Sequence, residues 1–199
     1  SLVTDFELKK LLIKDSTINY YAYNTRKAMR ISPIEIELTD LGYGANDQIV
    51  SKLKFNAKLF DSRSSQLSGS GTMGPLPVDL SHIPVSGNET LAVYINDIPE
   101  ADRKILLGEL VINDSKTQII QKSQFTGDLL GTIRGSGNTE IKNLILGKSR
   151  AHYITANSNI PLSYVLRLNQ NPNLKLESKA AILNLSGTEA MKGKLNFDS

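Results

Sequence analysis

The chain has no cysteine and no tryptophan, few aromatic residues of any kind, and no long apolar run. Each shortage excludes something. Without cysteine there is no disulfide scaffold, no thiolate metal site and no cysteine nucleophile, and the redox compartment stays open. Aromatics at 6% leave leucine, isoleucine and valine to build the core. No apolar stretch approaches the ~18 residues of a membrane-crossing helix, and none reads as the apolar segment of a signal peptide. Excess charge is scarce as well: 23 Lys and Arg against 20 Asp and Glu leaves +3. That balance, with no arginine-rich run, argues against a nucleic-acid partner.

What is present reads as β structure. Apolar residues make up 40% of 199, enough for one all-β domain or two small halves sharing a core. Phe6 to Ile13 reads as a strand, Lys14-Asp15-Ser16-Thr17 as a turn, and Ile18 to Tyr23 as a second strand. The tyrosines at 20, 21 and 23 fit either sheet packing or a recognition platform. Ile34, Ile36 and Leu38 alternate with Glu35, Glu37 and Thr39, the pattern of a half-buried strand, and Leu41 to Asp47 turns the chain.

The clearest strand is Ile49 to Leu59. Ile49, Leu53, Phe55, Ala57 and Leu59 share one parity, which only Ser51 interrupts, while Lys52, Lys54, Asn56 and Lys58 take the other. At about 3.4 Å per residue it spans roughly 37 Å, long against the usual ~5–6 residues. The apolar row must face something, a second sheet or a bound apolar ligand. The lysine row is either a solvated face or a contact for anionic lipid headgroups.

The seam of the chain is Leu67 to Ile112, which closes one β-rich half, crosses a Gly/Pro loop, passes one short helical candidate and opens a second β-rich half. Gly69-Ser70-Gly71 and Gly74-Pro75 lack the ending of a P-loop and lead into no helix, so a bulge or close backbone crossing accounts for them better than a phosphate cradle. A short helix is expected over Pro99 to Leu107, capped by Asp97 and ended by Gly108. Leu110 to Ile119 echoes Leu11 to Ile18, which suggests half-repeats 1–107 and 108–199. Beyond it come hairpin-like segments at 118–126 and 127–134, a turn at Gly135 to Asn138, and strands at 139–146, 164–168, 174–177, 181–185 and 192–197.

No catalytic or metal site emerges. His82 lies in a Pro-rich loop and His152 beside Tyr153, with no HxH, HxxxH or carboxylate cluster around either. There is no GxSxG elbow, and no pair of carboxylates is isolated among apolar residues. No catalytic residue, metal ligand or cofactor is assigned.

Taken in order, these segments resemble the AsmA-like family of bacterial envelope proteins, the AsmA/TamB-type repeating β-groove proteins. The likeness runs through Leu8-x-x-Leu11-Leu12-Ile13-x-Asp15-Ser16-x-Ile18, the strand and turn of 34–41, the long strand 49–60 and the segment 67–76 with Ile83-Pro84-Val85. It continues through the strand 91–95 and the helix 99–107 running into Gly108-Glu109-Leu110. Ser16 stands where the pattern usually carries glycine.

The resemblance implies an all-β fold of long antiparallel strands in a curved, groove-like or sandwiched sheet with one short helix near 99–107. It implies a single AsmA-like domain over 1–199, or a fragment of a larger protein, facing the periplasm and tethered to the bacterial inner membrane by an anchor outside this sequence. The implied role is non-enzymatic: outer-membrane biogenesis, with phospholipid bound or moved along an apolar β-groove. Leu53, Phe55, Ala57 and Leu59 are the candidate lipid-lining residues, with plain core packing as the competing account. The alternative role is a β-sandwich interaction scaffold for envelope proteins that binds no lipid.

Overall fold

A computed structural model describes residues 7–21, 28–44, 47–60, 62, 64–100, 103–104, 111–112, 116–149, 152–169, 173–177, 180–187 and 193–198. The fold is all-β. Its strands are β1 (Glu7–Tyr21), β2 (Ala28–Tyr43), β3 (Ile49–Leu59), β4 (Gln66–Leu76), β5 (Pro84–Tyr94) and β6 (Val111–Ile112), followed by β7 (Gln118–Asp128) and β8 (Thr132–Ser149). The last four are β9 (His152–Arg167), β10 (Asn173–Glu177), β11 (Ala180–Gly187) and β12 (Gly193–Asp198). They form one sheet in the order β1-β2-β3-β4-β5-β7-β8-β9-β11-β12, with β10 added to β9 and β6 to β8. Every pairing is antiparallel. The pairing of β5 with β7 is unbroken from Pro84/Asp128 to Tyr94/Gln118, so one sheet spans both sequence halves.

Side-chain parity decides which face is which. On β3 the expected apolar row faces inward, buried at Ala57 and Leu59 and half-buried at Ile49, Leu53 and Phe55, and the lysine row faces out. Ser51, the interruption, is buried too, because its hydroxyl donates to the carbonyls of Thr39 (2.9 Å) and Lys52 (3.0 Å). The same face carries Val85 and Val93 on β5, Phe125 on β7 and Ile133 on β8, all buried. Val85 is 3% exposed and Ala57 5%. Such burial requires cover, and no second sheet or helical layer supplies it among the described residues. The sheet therefore curls around its own apolar face.

Glycine makes the curl. In register, Gly71 of β4 faces Gly87 of β5, and Gly137 of β8 faces Ser123 of β7. A Cβ on Gly71 would sit 2.7 Å from the Gly87 Cα, and one on Gly137 would sit 2.6 Å from the Ser123 Cα. In a regular pleat, facing Cβ atoms stand about 4.5–5.5 Å apart and point off the sheet. Here they would point into the neighbouring strand, which marks two sharply coiled creases. Aromatic rings fill the room that two further glycines leave. Phe55 lies over Gly69, its partner in register, and Tyr164 lies over Gly135, likewise its partner. Phe55 and Phe125 meet at 6.0 Å between ring centres, with planes at 59°, although β4 and β5 separate their strands.

Several expectations are corrected. The glycines of 69–74, read as a bulge or close crossing, lie inside strand β4, and Gly135 to Asn138 is not a turn but part of strand β8. In both places the glycines serve close backbone approach within a strand. The turn expected at 14–17 is a bulge inside β1: Asp15 takes φ 54° and the register with β2 slips between Ile13 and Ser16. A short polar aspartate tolerates that left-handed backbone better than a branched residue would. Of the helix expected near 99–107, Glu100, Arg103 and Lys104 are helical, and the Arg103 N–H donates to the Pro99 carbonyl at 2.8 Å. Residues 101–102 and 105–107 of that helix, Tyr23, and residues 110 and 113–115 of the echo lie outside the described residues.

Candidate functional site

The four candidate lining residues all sit on the curled inner face, but in different surroundings. Leu53 and Phe55 are half-buried and pack against Met73, Val85, Phe125 and Ile133. Leu59, 8% exposed, belongs to a second apolar cluster with Val93 and Ile98. Ala57 lies between the two on the same strand face, buried. At Ala57 and Leu59, then, the inner face is filled by the protein's own side chains.

Toward β1 the apolar face opens. Register aligns Leu11, Leu38 and Leu53 across β1, β2 and β3, and Ile13, Ile36 and Phe55 in the next apolar row. These two ladders start in the packed core and end at Leu11 and Ile13, which are 41% and 44% exposed. The lysines of β3 point the other way, where Lys52 pairs with Asp40 at 3.2 Å and Lys58 donates to the Gln66 amide oxygen at 3.2 Å.

A polar band crosses the inner face between the two apolar clusters. Glu89 of β5 faces Ser123 of β7 in register, and Gln121 is two residues away on the same strand face. Gln121 and Ser123 are buried, and the Gln121 amide donates to the Ser123 hydroxyl. The Glu89 carboxyl is raised above its ordinary range by burial, against hydrogen bonds from Gln121 and Tyr164 that favour its charged form. The Tyr164 hydroxyl is raised in turn, by burial first and then by the charge and hydrogen bond of Glu89. Thr139, in register with Gln121, keeps a buried hydroxyl oxygen without a hydrogen-bond partner. The band thus sets a carboxyl group, its pKa raised by burial, among amide and hydroxyl partners inside an apolar surface.

Alternation could have revealed this band. Glu89 shares parity with Val85, Leu91 and Val93, and Gln121 and Ser123 share it with Ile119 and Phe125. A polar residue in an apolar row is the signal, the same one that Ser51 gave on β3.

Asp97 is not simply a helix cap. Its Oδ2 accepts hydroxyl hydrogen bonds from Ser62 (2.7 Å), Ser64 (2.5 Å) and Ser65 (2.8 Å), and the Ser65 oxygen also accepts the Tyr94 N–H at 3.0 Å. Burial raises the Asp97 carboxyl, but the three hydroxyl donors outweigh it and leave the group below its ordinary value. This knot ties the β3–β4 connection to the 3₁₀ turn Ile95–Asp97. His82 lies in the loop before β5 with its Nδ1 3.1 Å from the Ser81 hydroxyl. There the Asp128 carboxylate accepts the N–H groups of Ile83 (2.8 Å) and Leu130 (2.9 Å), which hold it below its ordinary range. The His152 side chain lies outside the described residues. Among the described residues no group of three His, Asp or Glu could hold a metal ion, and no helix is long and apolar enough to cross a membrane.

No family model matches the sequence, and no curated protein or solved structure is similar to it.

Proposed function

We propose that this chain is a non-enzymatic, AsmA-like lipid-handling domain of the bacterial envelope that holds phospholipid acyl chains on its curled apolar face. In this reading the full-length protein is tethered to the inner membrane, the domain faces the periplasm, and the work belongs to outer-membrane biogenesis. The observation that carries it is the pair of apolar ladders running from the packed core to the exposed Leu11 and Ile13. An acyl chain laid over β1 and β2 would extend the core outward and remove both residues from water. At about 25 cal/mol per Å² of apolar surface, covering two half-exposed aliphatic side chains contributes on the order of 1–3 kcal/mol. Further contact along the chain is needed for useful affinity.

The test exploits the strand's alternation. Photo-crosslinking residues are placed singly at Leu11, Leu12 and Ile13, and organic extracts of detergent-free protein are analysed by mass spectrometry. Leu12 is exposed and aliphatic but faces the opposite side of β1. Phospholipid adducts at Leu11 and Ile13 and none at Leu12 are expected. Equal labelling at all three, or none at Leu11 and Ile13, rejects an acyl-chain face.

The second reading is an envelope interaction scaffold that binds no lipid. The close packing around Ala57, Leu59 and Val93 favours it, since a filled face leaves no room for a ligand there. Protein adducts at Leu11 and Ile13 without lipid would support that reading.

A further inference from the structure

The opposite, polar face of the sheet carries a depression of about 520 Å³ across β2 to β5. That volume lies within the range of small-molecule sites, about 300–1,000 Å³. Its walls reverse the usual composition of such sites. Asn56 and Ser68 face each other in register, with Thr90 beyond them, and Ser70 faces Asn88 one row away. Two cross-strand rows of amides and hydroxyls therefore converge on one concavity.

Glu35 lines it beside Asn56, and Glu37 beside Lys54, so two carboxylates and one ammonium are also present. Glu37 is engaged by Lys10 at 3.2 Å. Apolar contact comes from Leu12, while Phe55 and Gly69, whose side-chain positions belong to the inner face, border the depression from within the strands.

This chemistry discriminates among ligands. An acyl chain would desolvate the amides and hydroxyls without replacing their hydrogen bonds. A phosphate or other anion would meet two carboxylates against one lysine. A metal ion would find no third ligand of its kind. A polyhydroxylated molecule fits each part. Asparagine amides and serine or threonine hydroxyls both donate and accept, carboxylates accept from sugar hydroxyls, and the Leu12 side chain suits a C–H face. We propose that this depression is a saccharide-binding site. It lies on the face opposite the apolar ladders and does not rest on the lipid reading.

The experiment is an amide NMR titration of the folded chain with maltotriose and, separately, triacetylchitotriose, each to millimolar concentration. Expected are shift changes confined to Asn56, Ser68, Ser70, Asn88 and Thr90, including the asparagine side-chain amides, with at least one of the two sugars. Asn56→Ala combined with Asn88→Ala should weaken that binding about tenfold or more, since two hydrogen-bonding amides are removed. If the double variant loses its native spectrum, the same comparison is read on Ser70→Ala, an exposed position. No shifts with either sugar, shifts located on the inner face, or binding unchanged by these substitutions overturns the proposal.

Discussion

Replacing Gly71 by alanine is the sharpest test of how this single sheet makes its own core. A glycine inside a regular strand is a weak point, and alanine there usually stabilises by about 0.5–1 kcal/mol by restricting the unfolded chain. At Gly71 the added methyl carbon would lie 2.7 Å from the Gly87 Cα and 2.8 Å from the Ser86 carbonyl carbon. Both are backbone atoms of the adjoining strand and have no rotamer by which to withdraw. Relief requires opening the crease between β4 and β5, which pulls Met73 and Val85 apart in the apolar cluster they share. Overpacking of this kind costs about 1–3 kcal/mol, so the net sign reverses.

Urea unfolding followed by circular dichroism reads the effect as a fall in midpoint at constant slope. Gly131, in the turn between β7 and β8, is the control. Its nearest neighbour is the Asp128 Oδ2 at 3.3 Å, a side-chain atom that needs to give by only a fraction of an ångström about its anchored Oδ1, and alanine there should cost less than about 1 kcal/mol. Gly87→Ala should resemble Gly71→Ala, and the pair together should cost less than the sum, because the first opens the crease for the second. A Gly71→Ala protein as stable as the parent would refute the crease.

Three other perturbations follow from the inner face and its ties. Glu89 has a raised carboxyl pKa in the folded state, so its stabilising proton is fully held below the unfolded value of about 4.3 and stability falls as pH rises through the folded value. Glu89→Gln should flatten that part of a stability–pH profile and leave the protein more stable than the parent at neutral pH; a steeper slope would be the contrary result. Asp97 runs the other way. Its folded value is depressed, so its contribution is present above the unfolded value of about 3.9 and is lost as pH falls through the folded one. Asp97→Ala, which strips the acceptor from three serines including the fully buried Ser65, should cost about 1–3 kcal/mol in urea unfolding at neutral pH. Phe125→Ala empties the centre of the larger cluster and should cost about 3–5 kcal/mol, measured in the same way.

The alternation on β3 is legible in the sequence, and its end points at 49 and 59 agree with the strand. That legibility has a physical basis: when one face is buried, a period of two leaves a strong mark. Glycine was the weak point. Turns and close strand crossings both select it, one for backbone freedom and the other for a missing Cβ, so 135–138 reads as a turn when it is strand interior, whereas Gly69 and Gly71 read as the close crossing they make. Asp15 misled in the same way, because aspartate serves turns and bulges alike. The polar band was within reach, since Glu89 breaks an apolar parity. The Asp97 knot was not, because its serines lie 32 to 35 residues upstream and no local pattern links them.

The edge at β1 bears on the choice between lipid face and protein scaffold. A fifteen-residue edge strand with exposed aliphatics is a ready template for strand addition, which would serve a scaffold. This one carries the devices that oppose such pairing. Lys9, Lys10 and Lys14 are exposed along it, and the Asp15 bulge breaks its run midway. An incoming strand would have to pass both lysines and bulge to form a continuous ladder of hydrogen bonds. A molecule lying on the face meets neither obstacle, because Leu11 and Ile13 present their side chains to the inner surface rather than along the edge. An edge guarded against strands beside a face left open to apolar contact favours a ligand without a backbone. Replacing Lys9 and Lys14 by threonine, and deleting Asp15 to restore the register, should therefore promote self-association, measured by light scattering. The parent protein should stay monomeric under the same conditions. If it associates through β1 as readily as the variant, the edge is unguarded and the scaffold reading takes precedence.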